Sequence, residues 1–126
     1  MKILHTDNAS SPAGHYSQAV SYQGTLYVSG QLPVSPDGTH NIGASFAEQA
    51  RLALNNLLAI VQASGGTPES LLKVTVYVAG VKHWPEFDQV YAQALGAHRP
   101  ARVVVPVPEL HHGYLVEIEA LAQSVS

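Results

Sequence analysis

Arg102 opens the apolar run Val103-Val-Val-Pro-Val107, in a chain with only six lysines and arginines. A guanidinium buried there without a partner carries a heavy desolvation cost, so it calls for a carboxylate. Guanidinium suits that partner because it can bind both oxygens of one carboxylate at once. Glu119 or a ligand could supply it. Glu117 and Glu119 lie two residues apart in Leu115-Val-Glu-Ile-Glu-Ala-Leu-Ala122. In a strand they share one face, while Val116, Ile118 and Ala120 take the other. The glutamate face either meets water or lines a cleft between subunits. Ser29-Gly30-Gln31 ends a β-prone run, and Gly30, having no Cβ, lets a ligand approach its backbone N–H. Tyr16 follows Gly14-His15 and could present a hydroxyl to the same ligand. Each has a plainer reading: a solvated arginine, a β-bulge glycine, a tyrosine at the edge of a core.

Other chemistries lack their residues. The seven histidines show no HxH, HxxxH or HExxH spacing, and adjacent His111 and His112 would point apart in a strand. No metal site is expected. There is no nucleophile elbow for Ser/His/Asp hydrolysis. There is no GxGxxG or GxxxxGK[ST] loop for nucleotide phosphates. With no cysteine, disulfides, thiolate metal sites and cysteine nucleophiles are excluded.

The elements that position these residues follow from periodicity and punctuation. Tyr16–Tyr22 and Thr25–Ser29, joined by Gln23-Gly24, read as a hairpin. Ser35-Pro36-Asp37-Gly38 is a turn. Ser45 and Glu48 fit a capping box, and Phe46, Ala50, Ala53, Leu54, Leu57, Leu58 and Val61 then recur at helical spacing until Gly65-Gly66. Leu72–Val78 is β-branched and reads as a strand. Pro85 suits the start of a second helix carrying Phe87, Val90, Tyr91, Ala94 and Leu95. Strands over 103–107 and 115–122 close the chain, with Pro106 demanding an edge or a strand end. The order β-β-α-β-α-β-β predicts one α/β (α+β) domain over residues 1–126: a sheet with two helices packed on one face.

Composition narrows the setting. At 126 residues the chain is one domain by size. Charged residues make up 12%, about half the usual share, which favours covering apolar surface with another subunit. The net charge of −3 and scattered basic residues argue against nucleic acid as a partner. The N-terminal stretch lacks the apolar core of a signal peptide, and no run is long enough for a membrane helix. No membrane partner is expected, and the cytoplasm is the default location.

Six stretches, in order and nearly spanning the chain, together resemble the RidA family of YjgF-type reactive intermediate deaminases. They are Gly14-His-Tyr-Ser-Gln-Ala-Val20, Tyr27-Val-Ser-Gly-Gln-Leu-Pro33, Gln49 through Asn56-Leu57, Leu72-Lys-Val-Thr-Val-Tyr-Val78, Pro100-Ala-Arg102 and Val116-Glu-Ile-Glu-Ala-Leu-Ala122. The resemblance implies a chorismate-mutase-like homotrimer with a central β-barrel, helices outside and three ligand clefts between neighbouring subunits. It implies cofactor-independent hydrolysis of 2-enamine and 2-imine acids, such as 2-iminobutanoate and 2-iminopropanoate, to 2-keto acids and ammonia. By the same resemblance Arg102 holds the substrate carboxylate, Glu119 handles the water, and Tyr16, Ser29 and Gly30 line the pocket. Asp88 falls on a pocket position that often carries asparagine, and an aspartate there repels a carboxylate unless protonated or turned away. Val103, Val104 and the loop His111-His-Gly-Tyr114 also differ from the family's usual residues. A non-catalytic binder of small carboxylates on the same scaffold is the alternative.

Overall fold

The computed structural model describes residues 1–124. Six strands and two helices run in the order β1 (Lys2–Leu4), β2 (Ala19–Tyr22), β3 (Thr25–Gln31), α1 (Phe46–Ala63), β4 (Leu71–Val78), α2 (Trp84–Leu95), β5 (Ala101–Pro106) and β6 (Val116–Gln123). They form one sheet in the order β1-β2-β3-β6-β4-β5. The α+β architecture expected from the sequence is the one observed, with one strand more. That strand, β1, is three mostly exposed residues paired to β2, too short and too polar in setting to show a period.

The hairpin β2–β3 turns at Gln23 (φ 50°) and Gly24 (φ 82°), the double left-handed geometry that matches the twist of a two-residue hairpin. α1 begins where expected, with the Glu48 N–H donating to Ser45 Oγ at 3.2 Å. It ends at Ser64 and Gly65, the glycine at φ 91°. β6 lies antiparallel between β3 and β4, and β4 runs parallel to β5 with α2 as the crossover. Pro106 closes β5, the edge strand, so its missing N–H breaks no ladder.

Both helices cover one face of this sheet. Leu54, Leu57, Ile60 and Val61 of α1 and Phe87 of α2 pack on Leu26, Val74, Val76, Val116 and Ile118, all fully buried. The opposite face is bare. Tyr22 (52% exposed), Tyr27 (44%), Val103 (42%) and Leu121 (37%) lie there beside Glu117 and Glu119. Among the described residues no helix is long and apolar enough to cross a membrane.

Candidate active site

The site starts from an irregularity in β3. Val28 pairs with Ala120 and Gln31 with Ile118, so β3 carries one residue more than β6 across this interval. Such a bulge re-aims side chains and recurs beside active sites. Here it falls on Ser29 and Gly30. Ser29 is pinned on both sides: its N–H donates to Gln18 O at 2.9 Å and its Oγ donates to Ser17 O at 2.6 Å. With its proton engaged, the Ser29 hydroxyl can only accept from a ligand. Gln18, buried, accepts from the Thr6 N–H (2.8 Å) and donates to Thr6 O (3.0 Å) and Ser10 O (2.9 Å). It thereby fixes the segment that carries Tyr16 towards the bulge.

Gly30 is needed for space. A Cβ at this position would stand 2.6 Å from Glu117 Oε2 and 3.2 Å from its Cδ. Gly30→Ala must therefore push the Glu117 carboxylate aside. We expect the variant to fold, with a melting temperature within a few degrees of wild type. It should lose at least about tenfold in any activity that uses this carboxylate, the scale of misplacing a reacting group by about 1 Å. Unchanged turnover in Gly30→Ala would show that Glu117 plays no part in the reaction.

Tyr16, Ser29, Gly30 and Glu117 line one cavity of about 860 Å³. Its far wall is the Pro36-Asp37-Gly38 turn with His40, His111 and His112. Tyr16 is half exposed, and its hydroxyl accepts from the Ala13 N–H at 3.3 Å. Burial pushes the Glu117 carboxyl above its ordinary value, the Glu119 charge adds to this, and His111 partly opposes it. A carboxyl that holds its proton more tightly than an ordinary glutamate is, once ionised, the stronger proton acceptor.

Glu119 stands elsewhere. It shares the Glu117 face, as the period of two requires, but it accepts a 2.6 Å hydrogen bond from the Tyr77 hydroxyl and does not line the cavity. Period alone could not separate the two glutamates. Gly30, whose missing side chain leaves room for one of them, marks the place but not the partner, because the shifted register of β3 against β6 decides which glutamate faces it.

Arg102 and Asp88 lie apart from this cavity. Arg102 pairs across the ladder with buried Val74, so it points to the helix side of the sheet, away from both glutamates. Its partner within the chain is neither Glu119 nor Glu117 but Asp88, at 2.8 Å from Nη1 to Oδ1. The guanidinium also lies over the rings of Tyr91 (5.0 Å) and Trp84 (5.5 Å). Two rings and a carboxylate on α2 hold it in one orientation, and among the described residues its other N–H groups make no hydrogen bond. Arg102 and Asp88 line a second cavity, of about 450 Å³, with Arg99 and His98. The Tyr91 hydroxyl is buried beside them without a hydrogen-bond partner among the described residues, and burial pushes its pKa to about 12, so it keeps its proton. The chain thus presents a carboxyl with a cavity on one side of its sheet and a clamped guanidinium on the other.

Residues 6–124 match the family model described as Endoribonuclease L-PSP. A RutC family protein of Pyrococcus horikoshii is 36% identical over 121 residues, 96% of this chain and 96% of that protein. The 2-iminobutanoate/2-iminopropanoate deaminase of Bos taurus is 37% identical over 121 residues, 96% of this chain and 88% of that protein. The E. coli protein TdcF, solved with bound serine, superposes with a TM-score of 0.92 at 35% identity, covering 98% of each chain.

Proposed function

The chain belongs to the RidA (YjgF) family, and from that premise we propose that it hydrolyses 2-enamine and 2-imine acids to 2-keto acids and ammonia. The observation that carries this reading is the meeting of Tyr16, Ser29, Gly30 and Glu117 around one cavity. The bovine relative's name and the amino acid bound to TdcF point to the same class of ligand.

The protonated imine carbon is already electrophilic, so catalysis needs little beyond holding it, admitting one water and moving a proton. Arg102 of one subunit binds the substrate carboxylate. Glu117 of a neighbour takes a proton from the attacking water as oxygen bonds to the imine carbon. It then returns the proton to nitrogen, the C–N bond breaks as the carbinol hydroxyl gives its own proton to the Glu117 carboxylate, and ammonia leaves with that proton as ammonium, the keto acid remaining behind. Glu117 takes the role first expected of Glu119, whose carboxylate is engaged by Tyr77. The reaction uses no cofactor.

Two copies are needed because one chain keeps Arg102 and Glu117 on opposite faces of its sheet. The bare face with Tyr22, Tyr27, Val103 and Leu121 supports closure of three sheets into a barrel, a homotrimer with a site at each boundary. Asp88 competes with substrate for Arg102. Asp88→Asn is expected to tighten binding of 2-keto acids by about three- to tenfold, the scale of a partly exposed ion pair. Isothermal titration checks this, and equal affinity would place Asp88 outside carboxylate recognition.

The function itself is tested by generating 2-iminobutanoate in situ and following keto-acid release against the uncatalysed rate. Acceleration by the protein supports the deaminase. Binding of 2-ketobutyrate without acceleration would favour a non-catalytic carboxylate binder on this scaffold.

A further inference from the structure

The far wall of the cavity has a chemistry that the proposed reaction does not use. Three imidazoles meet there. His112 lies 4.5 Å from His40 and 3.9 Å from His111, centroid to centroid. The wall is anchored: His40 Nδ1 hydrogen-bonds the hydroxyl of buried Tyr114 at 2.7 Å, and their rings stack at 5.8 Å. His112 sits at φ 63°, a left-handed conformation uncommon outside glycine. Leu32, Val34 and Pro36 extend the same wall with apolar surface.

Size and charge narrow what such a wall accepts. A cavity of about 860 Å³ lies near the upper end of the roughly 300–1,000 Å³ that enclose drug-sized ligands. In the single chain, a substrate with a side chain of one or two carbons fills only a small part of this volume. A second carboxylate on the substrate finds no lysine or arginine among the lining residues, and it meets Asp37 and Glu117. A cationic side chain finds Asp37 at the exposed turn but must pass three imidazole rings. His112 loses its proton more readily than an ordinary histidine, through burial and through its neighbours His111 and His40, so near neutrality its ring is an uncharged planar surface. Neutral rings in offset or tilted contact favour another planar ring.

We propose that the His40–His111–His112 wall selects 2-imino acids bearing a bulky, uncharged, aromatic side chain over those with short aliphatic ones. This rests on the deaminase reading and names the substrate class of the same site. The carboxylate end is shared by all 2-imino acids, and the wall meets only the side chain.

The test uses the full-length protein and imines released in situ by an L-amino-acid oxidase from phenylalanine and from 2-aminobutyrate. Wild type is expected to favour the aromatic imine by about tenfold in kcat/KM, and His112→Asn to bring that ratio close to one. Asparagine tolerates the left-handed backbone, so this variant removes the ring without adding strain. His111→Ala supplies a second variant outside the left-handed position. A preference for the aliphatic imine, or a ratio unmoved by both variants, overturns the proposal. The same pair of keto acids, phenylpyruvate and 2-ketobutyrate, is compared by thermal shift. If no imine is turned over, the deaminase reading fails. The selectivity proposal then stands or falls on whether phenylpyruvate stabilises wild type more than 2-ketobutyrate does, and His112→Asn less.

Discussion

Glu117→Gln is expected to lower kcat for 2-imino acids by about 10²- to 10⁴-fold, the usual worth of a positioned proton-transfer group. The same change should raise the melting temperature near pH 7 by a few degrees. Both effects follow from where the carboxyl sits. It is half-buried against Gly30, beside Glu119, and both burial and that neighbouring charge raise its pKa from an ordinary 4.5. The native state therefore holds this proton more tightly than the unfolded chain does. The resulting stability is present below the unfolded value and is lost as pH rises through the higher folded one. Glutamine stays neutral at every pH, so its advantage should vanish near pH 4 and be full above the folded value. Melting curves across pH 4–8 check the sign. A variant no more stable than wild type at pH 8 would mean the cavity does not disfavour the charge. Full turnover in Glu117→Gln would remove the carboxyl from the mechanism. Glu119→Gln is the control: its carboxylate faces Tyr77 outside the cavity, so it should cost far less activity.

The contrast between these two glutamates marks what the sequence makes legible. Alternation in β6 puts Glu117 and Glu119 on one face and Val116, Ile118 and Ala120 in the core, and the structure has them so. Which glutamate reaches the cavity depends on the β3 bulge, one extra residue that shifts register against β6. No local pattern in Ser29-Gly30-Gln31 announces that shift, because any glycine near a strand end could equally be a turn. Arg102 shows the same division. Its isolation at the head of an apolar strand correctly demands a carboxylate, but the one supplied is Asp88. That pairing requires the fold to bring Asp88 of α2 to the head of β5, a tertiary fact invisible to spacing. The helices were legible because capping and a 3.6-residue period act locally. β1 was not, because three mostly exposed residues gain their strand geometry only from pairing with β2.

The arrangement with the strongest consequence is the separation of Arg102 from Glu117. Arg102→Ala is expected to lower kcat/KM by about 10- to 100-fold through lost carboxylate binding, since hydrogen bonds between charged groups are worth that much. Alone, this does not say whose arginine serves which cavity. Co-expression of Arg102→Ala and Glu117→Gln chains with different tags does. In a closed ring, each site takes its arginine from one copy and its glutamate from the next. Equal random mixing leaves about one site in four with both groups intact, so the mixture should recover about a quarter of wild-type activity, well above either parent. If each chain built its own site from its own residues, every site would lack one group and mixing would restore nothing. The structure favours recovery, because Arg102 is clamped by Asp88, Trp84 and Tyr91 on the helix side while Glu117 opens to the other face. Bringing the two together within one chain would require moving the guanidinium from one face of the sheet to the other. Activity in the mixture no greater than the mean of the two parents would therefore overturn the two-chain site, while leaving each residue's own role to its single-variant kinetics.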